Sequence, residues 1–156
     1  RVIFLFTGAE ELGLDGAHAY VNAPTVPLSQ LRAMVNLDMV GHGLYRRPDD
    51  TTLSLMQPDD PVIDAATTTA ARLADLPLLP YQPTYVEAAH ETHRSDDWVF
   101  RDRGVLALFL SSGMHADYHL PTDVAANVSP AQIVRAATFV QRLLEQLAGV
   151  FARPPA

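Results

Sequence analysis

Two short apolar runs constrain the fold of this chain more than any other feature. Residues 1–7 (RVIFLFT) and 105–110 (VLALFL) are nearly continuous stretches of aliphatic and aromatic side chains. A half-exposed strand alternates apolar and polar residues, whereas an unbroken run is typical of a strand covered by helices on both faces. Because the first run is strand-like from Arg1, which is not a methionine, we expect this chain to be a piece of a longer one.

Signals for further strands and helices lie between these runs. Residues 33–39 and, more weakly, 52–56 are strand candidates. Residues 14–21 indicate a short helix, whereas 76–83, with three prolines, indicate a loop. Two longer helices begin where a capping side chain precedes a proline. The first start is Asp60-Pro61, followed by an apolar stripe of Ile63, Ala66, Ala70 and Leu73 or Ala74. The second is Ser129-Pro130, with a capping box to Gln132 and a stripe of Ile133, Ala137, Val140, Leu144 and Leu147.

This alternation predicts a single α/β domain over residues 1–156, with a three-layer α/β/α arrangement. Its central sheet should be mostly parallel, with helices on both faces. In such a sheet, ligands bind beyond the carboxyl ends of the strands. The rule selects the loops 8–13, 38–43 and 111–123.

Composition excludes several classes of function. The 18 acidic residues outnumber 11 arginines, and the net charge of −7 argues against a nucleic-acid partner. No apolar run approaches the ~20 residues of a membrane helix, so we expect no membrane segment in this chain. Without cysteine, a thiolate metal site and a cysteine nucleophile are excluded, which leaves ligation by oxygen and nitrogen.

The three selected loops carry carboxylates and imidazoles, which together suit a divalent ion. A pair of adjacent glutamates also suits hydrolysis, because one can hold a metal while the other takes a proton from water. Most of these residues have a plainer interpretation: a solvated helix start for the glutamates, a loop residue for His42, capping or packing for the other histidines, and a turn for Asp123. Asp38 is harder to explain in this way, because a charge in an apolar strand needs a partner or an ion. The residues concerned are Glu10, Glu11, Asp38, His42, His115, Asp117, Tyr118, His119 and Asp123.

Four blocks of the sequence resemble the M28 family of zinc aminopeptidases. They are FTGAEELGLDGAHAYV (6–21), NLDMVG (36–41), SDDWVF (95–100) and GMHADYHLPTD (113–123). Their order and spacing also fit, and they span nearly the whole chain. The resemblance implies a zinc-exopeptidase (phosphorylase/hydrolase-like) fold. It also implies hydrolysis of the N-terminal peptide bond, by a metal-bound hydroxide, in peptides that carry a free N-terminus.

The resemblance assigns roles to individual positions. Glu10 matches the general base, and Tyr118 matches a phenol that hydrogen-bonds the oxyanion. The zinc ligands would be Glu11 and His119 on one ion and Asp38 on the other. Asp123 would contact a metal ligand without itself binding the metal.

Two departures from the family pattern matter. Asp97 replaces the histidine of an S-D-H motif, which puts the role of that histidine in doubt. The upstream H-x-D block, which supplies the other two ligands, would lie before Arg1. We therefore expect two zinc ions in the full-length parent, but one or none in this chain, which is then inactive alone.

Two alternatives stay open, a glutaminyl-cyclase-like enzyme and a non-catalytic peptidase-like binding domain. The retained Glu10 and Glu11 favour the peptidase. The family suggests a periplasmic or secreted location, and the sequence does not determine the oligomeric state.

Overall fold

The computed structural model describes residues 1–42, 53–80 and 95–152. Two compact units divide the chain: the first comprises Arg1–Asn36 and Pro83–Leu108, and the second Leu37–Gln82 and Phe109–Ala156. No helix in the described ranges is both long and apolar enough to cross a membrane. The helices and strands are α1 (Asp15–Asn22), β1 (Met34–Leu37), β2 (Leu53–Met56), α2 (Pro61–Leu73), β3 (Leu78–Pro80), α3 (Asp97–Arg101), β4 (Ala107–Ser111) and α4 (Pro130–Phe151).

The four strands form one sheet in the order β1-β4-β2-β3. β2 pairs in parallel with β3, because α2 carries the chain back to the edge where β2 began. β2 pairs antiparallel with β4, with Leu55 opposite Leu110. The sheet is therefore mixed, and neither the mostly parallel sheet nor the three-layer arrangement is confirmed. All five residues of β4 are buried, as its unbroken apolar run predicts.

The predicted strand over residues 1–7 is wrong. The structure describes this segment and assigns it no strand. Phe4 is 82% exposed and Phe6 93% exposed. An apolar run becomes a buried strand only when neighbouring strands and helices cover it, and nothing in the described part of the first unit covers these rings.

The loop predicted over residues 76–83 is wrong at its centre, where β3 lies. Leu76 is buried, and the carbonyl of Pro77 accepts a hydrogen bond of 3.1 Å from the amide of Leu53. Prolines are tolerated in an edge strand, which explains how β3 forms in a proline-rich stretch. Residues 81–83 lie outside the described residues.

The first unit is built around α1 and α3. A buried apolar cluster joins them, and the ring of Tyr20 packs on that of Phe100 with 5.8 Å between centroids. Gly16, near the start of α1, lies against the backbone of Gly8 and donates a 2.9 Å hydrogen bond to its carbonyl. A Cβ at Gly16 would lie 2.5 Å from that carbonyl oxygen, so this approach requires glycine.

The second unit is built around α2 and α4, which pack against each other. Both predicted caps are confirmed: Asp60 accepts hydrogen bonds from the amides of Val62 and Ile63, and Ser129 accepts one from the amide of Gln132. The capping box is only half formed, because the amide of Ser129 donates to Gly41 instead of to Gln132.

Four of the five positions in the predicted apolar stripe of α4 are displaced by one residue, whereas Leu147 is buried as predicted. The buried row of α4 is Gln132, Ala136, Phe139, Leu143 and Leu147, whereas Ile133 is 44% exposed. Spacings of three and four residues place this row, with the large ring of Phe139, on one face of the helix, and the neighbouring row that begins at Ile133 is less buried.

A buried polar network in the first unit surrounds the Asp97 that departs from the family pattern. The amide of Asn36 donates to Ser95 Oγ at 2.7 Å and to Asp97 Oδ1 at 3.4 Å. The guanidinium of Arg101 lies 3.0 Å from Asp97 Oδ2, one helical turn along α3. Burial raises the pKa of Asp97 above its ordinary value, and Arg101 and Asn36 oppose that rise only in part.

The contact between Gly16 and Gly8 gives a first prediction. Gly16→Ala should lower the free energy of unfolding by about 1–3 kcal/mol, because the new methyl group meets backbone and not a movable side chain. Gly149→Ala in α4 is the matched control. Its Cβ meets nothing within 4 Å, and it should stabilise the chain by about 0.5–1 kcal/mol. Urea unfolding measures both, and equal stability of the two variants would contradict the packing described.

The buried Asp97 gives a second prediction. Its folded-state pKa lies above its unfolded value, so the folded state holds the proton more tightly. The free energy of unfolding should therefore fall as pH rises from about 4 through the folded-state pKa. Asp97→Asn should remove this loss, whereas the exposed Asp102→Asn, at the end of the same helix, should keep it. Urea titrations between pH 4 and 7 test the slopes, and parallel curves for the two variants would refute the assignment.

Candidate functional site

The predicted catalytic pair Glu10-Glu11 lies in the first unit, on a 3-10 turn that covers Glu10–Leu12. Ala9, before the turn, has a left-handed backbone with φ 57°. The carbonyl of Glu10 accepts a 2.8 Å hydrogen bond from the amide of Leu14, which ties the turn to the start of α1. Glu10 is half-buried and Glu11 is exposed. The hydrogen-bonded turn thus fixes the backbone positions of Glu10 and Glu11.

Asp38 lies in the second unit, directly after β1, and is half-buried. Its amide donates a 3.1 Å hydrogen bond to the carbonyl of Leu110 at the end of β4. The next residue, Met39, is left-handed with φ 55°, and its carbonyl accepts hydrogen bonds from both the amide and the hydroxyl of Ser112. These bonds hold the segment after β1 beside the segment after β4.

Consecutive tight turns form the segment from His115 to Asp123. Backbone hydrogen bonds link the amide of Tyr118 to the carbonyl of His115 at 3.2 Å, and the amide of Asp123 to that of Leu120 at 3.0 Å. His119, a predicted ligand, is left-handed with φ 57° and is exposed. The ring of Tyr118 stacks on His119 with 4.0 Å between centroids and meets His115 edge-on at 6.2 Å.

His42 and His115 stack on each other in the second unit. Their ring centroids are 3.8 Å apart and the planes differ by 10°. Asp123 lies against both rings, with Oδ1 3.2 Å from Nε2 of His42 and Oδ2 3.9 Å from Nε2 of His115. Asp123 therefore contacts two imidazoles of the second unit, those of His42 and His115.

The pKa of His115 is lowered. Burial is the larger cause, because it disfavours the imidazolium form, and repulsion by the neighbouring His42 adds to it. Attraction by Asp123 and Asp117 opposes the shift without cancelling it. His115 is therefore neutral near pH 7, which is the form of histidine that binds metals.

One group of potential metal ligands converges among the described residues: His42, His115 and Asp117. Each offers a donor atom, and these atoms lie within 4.8 Å of one another. Asp38 and His119 lie in the same unit but are not part of that group, and Glu11 lies in the other unit. The sequence showed all three members, but the plainer interpretation placed His42 in a loop. Their convergence depends on contacts between segments over 70 residues apart, which sequence spacing does not reveal.

Left-handed residues other than glycine mark all three segments of the predicted site. Ala9 precedes Glu10, Met39 follows Asp38, and His119 is itself left-handed. Such a backbone is uncommon for residues with a side chain and costs about 1–2 kcal/mol each. Residues held in this way cluster at functional sites, so these three positions support a functional role for the segments that carry them.

Comparison with solved structures shows the fold. The chain is similar to an aminopeptidase from Aneurinibacillus sp. strain AM-1, with 24% identity, a TM-score of 0.67, and coverage of 90% of this chain and 32% of that one. It is also similar to BSAP, a zinc aminopeptidase from Bacillus subtilis, with 23% identity, a TM-score of 0.67, and coverage of 88% of this chain and 34% of that one. The third is the LapA aminopeptidase of Legionella pneumophila, with 16% identity, a TM-score of 0.69, and coverage of 92% of this chain and 38% of that one.

The chain thus spans about a third of the length of these aminopeptidases. No curated protein matches it. The model of peptidase family M28 matches residues 1–144, which include every position of the predicted site. The chain belongs to peptidase family M28.

Proposed function

We propose that the whole protein of which this chain is part is a zinc-dependent aminopeptidase that removes residues from peptides with a free N-terminus. Membership of a peptidase family supports a hydrolase that acts on peptide bonds. The similarity in fold to three aminopeptidases, one of them described as a zinc enzyme, favours exopeptidase activity.

One observation carries the proposal beyond family membership. Glu10 and Asp38, to which the M28 resemblance assigns roles, are each next to a left-handed residue, Ala9 and Met39, and His119 is itself left-handed. Leu14 and Asp75 are also left-handed, so the conformation alone does not define a site. Its occurrence at or next to three motif residues supports a role in which the backbone orients their side chains.

The residues of this chain are chemically suited to zinc. Glu11 and Asp38 offer carboxylate oxygens and His119 offers an imidazole nitrogen, which is a donor set that zinc uses in hydrolases. Glu11 and His119 are both exposed, so their side chains are accessible to an ion. Bound zinc would act as a Lewis acid, polarising the scissile carbonyl and acidifying the attacking water.

Glu10 and Tyr118 supply the remaining chemistry. Glu10 accepts the proton of the attacking water at a carboxylate oxygen and then delivers it to the nitrogen of the leaving amine. Tyr118 donates its phenolic hydrogen to the oxygen that gains charge as the carbonyl carbon becomes tetrahedral. The stacking of its ring on His119 restricts the position from which that hydroxyl can donate.

The role of Glu10 is directly testable. Glu10→Gln in the whole protein should lower kcat for an aminoacyl-anilide about 10²–10⁴-fold, because glutamine cannot accept the proton. Zinc content, measured by elemental analysis, should not change, since Glu10 is not one of the proposed ligands.

Glu145→Gln is the matched control, because Glu145 is an exposed residue of α4 that pairs with Arg142 on the surface. It should keep full activity. If Glu10→Gln also keeps full activity, Glu10 is not the general base. If it loses zinc together with activity, Glu10 is a ligand instead.

A further inference from the structure

The group formed by His42, His115 and Asp117 lies outside the ligand set that the M28 resemblance assigns. All three residues belong to the second unit, and their donor atoms approach within 4.8 Å of one another. His42 follows β1, whereas His115 and Asp117 follow β4. Two segments distant in sequence thus bring two imidazoles and a carboxylate to one point.

Hydrogen bonds and packing within the protein hold the backbone beside His42 in place. The amide of Ser129 donates a 2.8 Å hydrogen bond to the carbonyl of Gly41. A Cβ at Gly41 would lie 2.9 Å from Cγ1 of Val128, so the segment that carries His42 lies tightly against the start of α4. The position of His42 is therefore set by packing as well as by hydrogen bonds.

The buried side chain of His115 has a ring nitrogen without a hydrogen-bond partner among the described residues. Its side chain is buried, with 7% of the residue exposed, and its Nδ1 makes no hydrogen bond to any described residue. A buried polar atom without a partner costs free energy, and native structures seldom keep one without a reason. A metal ion on Nδ1 would supply the missing bond.

Two further side chains are placed to support ligands. Asp123 places its carboxylate oxygens 3.2 Å from Nε2 of His42 and 3.9 Å from Nε2 of His115, so it lies beside both rings, although His42 Nε2 makes no hydrogen bond in this arrangement. The side-chain amide of Asn127 donates to Asp117 Oδ2 at 3.4 Å and to the carbonyl of Thr122 at 2.9 Å. Metal-bound histidines and carboxylates commonly have such partners, which orient the ligands.

We propose that His42, His115 and Asp117 bind a divalent transition-metal ion such as Zn²⁺ or Co²⁺. Two nitrogen donors and one oxygen donor favour this class of ion over Ca²⁺ and Mg²⁺, which prefer oxygen donors alone. The bound ion would clamp the segment after β1 to the segment after β4. This inference does not depend on the proposed aminopeptidase activity, because it uses different ligands.

Binding requires one local rearrangement. The two rings are parallel, and the lone pair of each nitrogen lies in the plane of its ring, so a shared ion needs the rings to fan apart. Rotation about the bond to an imidazole ring is soft, so this movement does not require the backbone to change.

The test is a titration of this chain with CoCl₂ at pH 7.5, followed by visible absorption and by calorimetry. We expect one equivalent to bind through nitrogen and oxygen ligands. His42→Asn and Asp117→Asn should each weaken binding at least about tenfold, and CaCl₂ should not compete. His18→Asn, at an exposed position of α1, is the matched control and should bind as the unchanged chain does. Thermal unfolding without metal checks that each variant folds.

The result separates this site from the proposed zinc ligands. If His119→Asn and Asp38→Asn abolish binding while His42→Asn and Asp117→Asn do not, the inference is overturned and the proposed function stands. If no variant of the second unit changes the affinity, or if the folded chain binds no Co²⁺, the inference is also overturned. Loss of binding in His42→Asn and Asp117→Asn, with retention in His119→Asn, supports it.

Discussion

Backbone hydrogen bonds that join the segment after β1 to the segment after β4 and to the start of α4 organise the second unit. The amide of Ser112 donates to the carbonyl of Met39, and the amide of Ser129 donates to that of Gly41. Backbone donors and acceptors inside a protein must be paired, so these bonds fix the path of both segments regardless of which side chains they carry. The histidines and carboxylates of this unit come together because that path brings them together.

Local signals in the sequence predict the helices better than the sheet. Asp60 and Pro61 start α2 where the cap and the proline indicate, because both features act through neighbouring residues. The exposed segment over residues 1–7 shows the opposite case. Its composition suits a buried strand, but burial depends on partners elsewhere in the molecule, and composition does not supply them. The proline content of residues 76–83 predicts a loop for a related reason: the pairing of β3 with β2, which outweighs the prolines, depends on a distant partner.

The candidate site shows the same division. The M28 blocks identify Glu10, Asp38 and His119 by residue type and order, and these positions prove to lie at or beside left-handed residues. Residue type does not reveal that His42 stacks on His115, because 73 residues separate them and their approach depends on the close packing of Gly41 on Val128. Motifs therefore locate chemistry that a family shares, whereas geometry adds contacts between residues far apart in the sequence.

The exposed rings of Phe4 and Phe6 have a consequence for how this chain behaves in solution. They belong to a seven-residue stretch with strong β propensity, a single charge and no proline, the composition associated with cross-β assembly. Among the described residues no strand pairs with this stretch, so its backbone remains a template for edge-to-edge association. Cover for those two aromatic side chains would therefore remove the most aggregation-prone surface that this stretch presents.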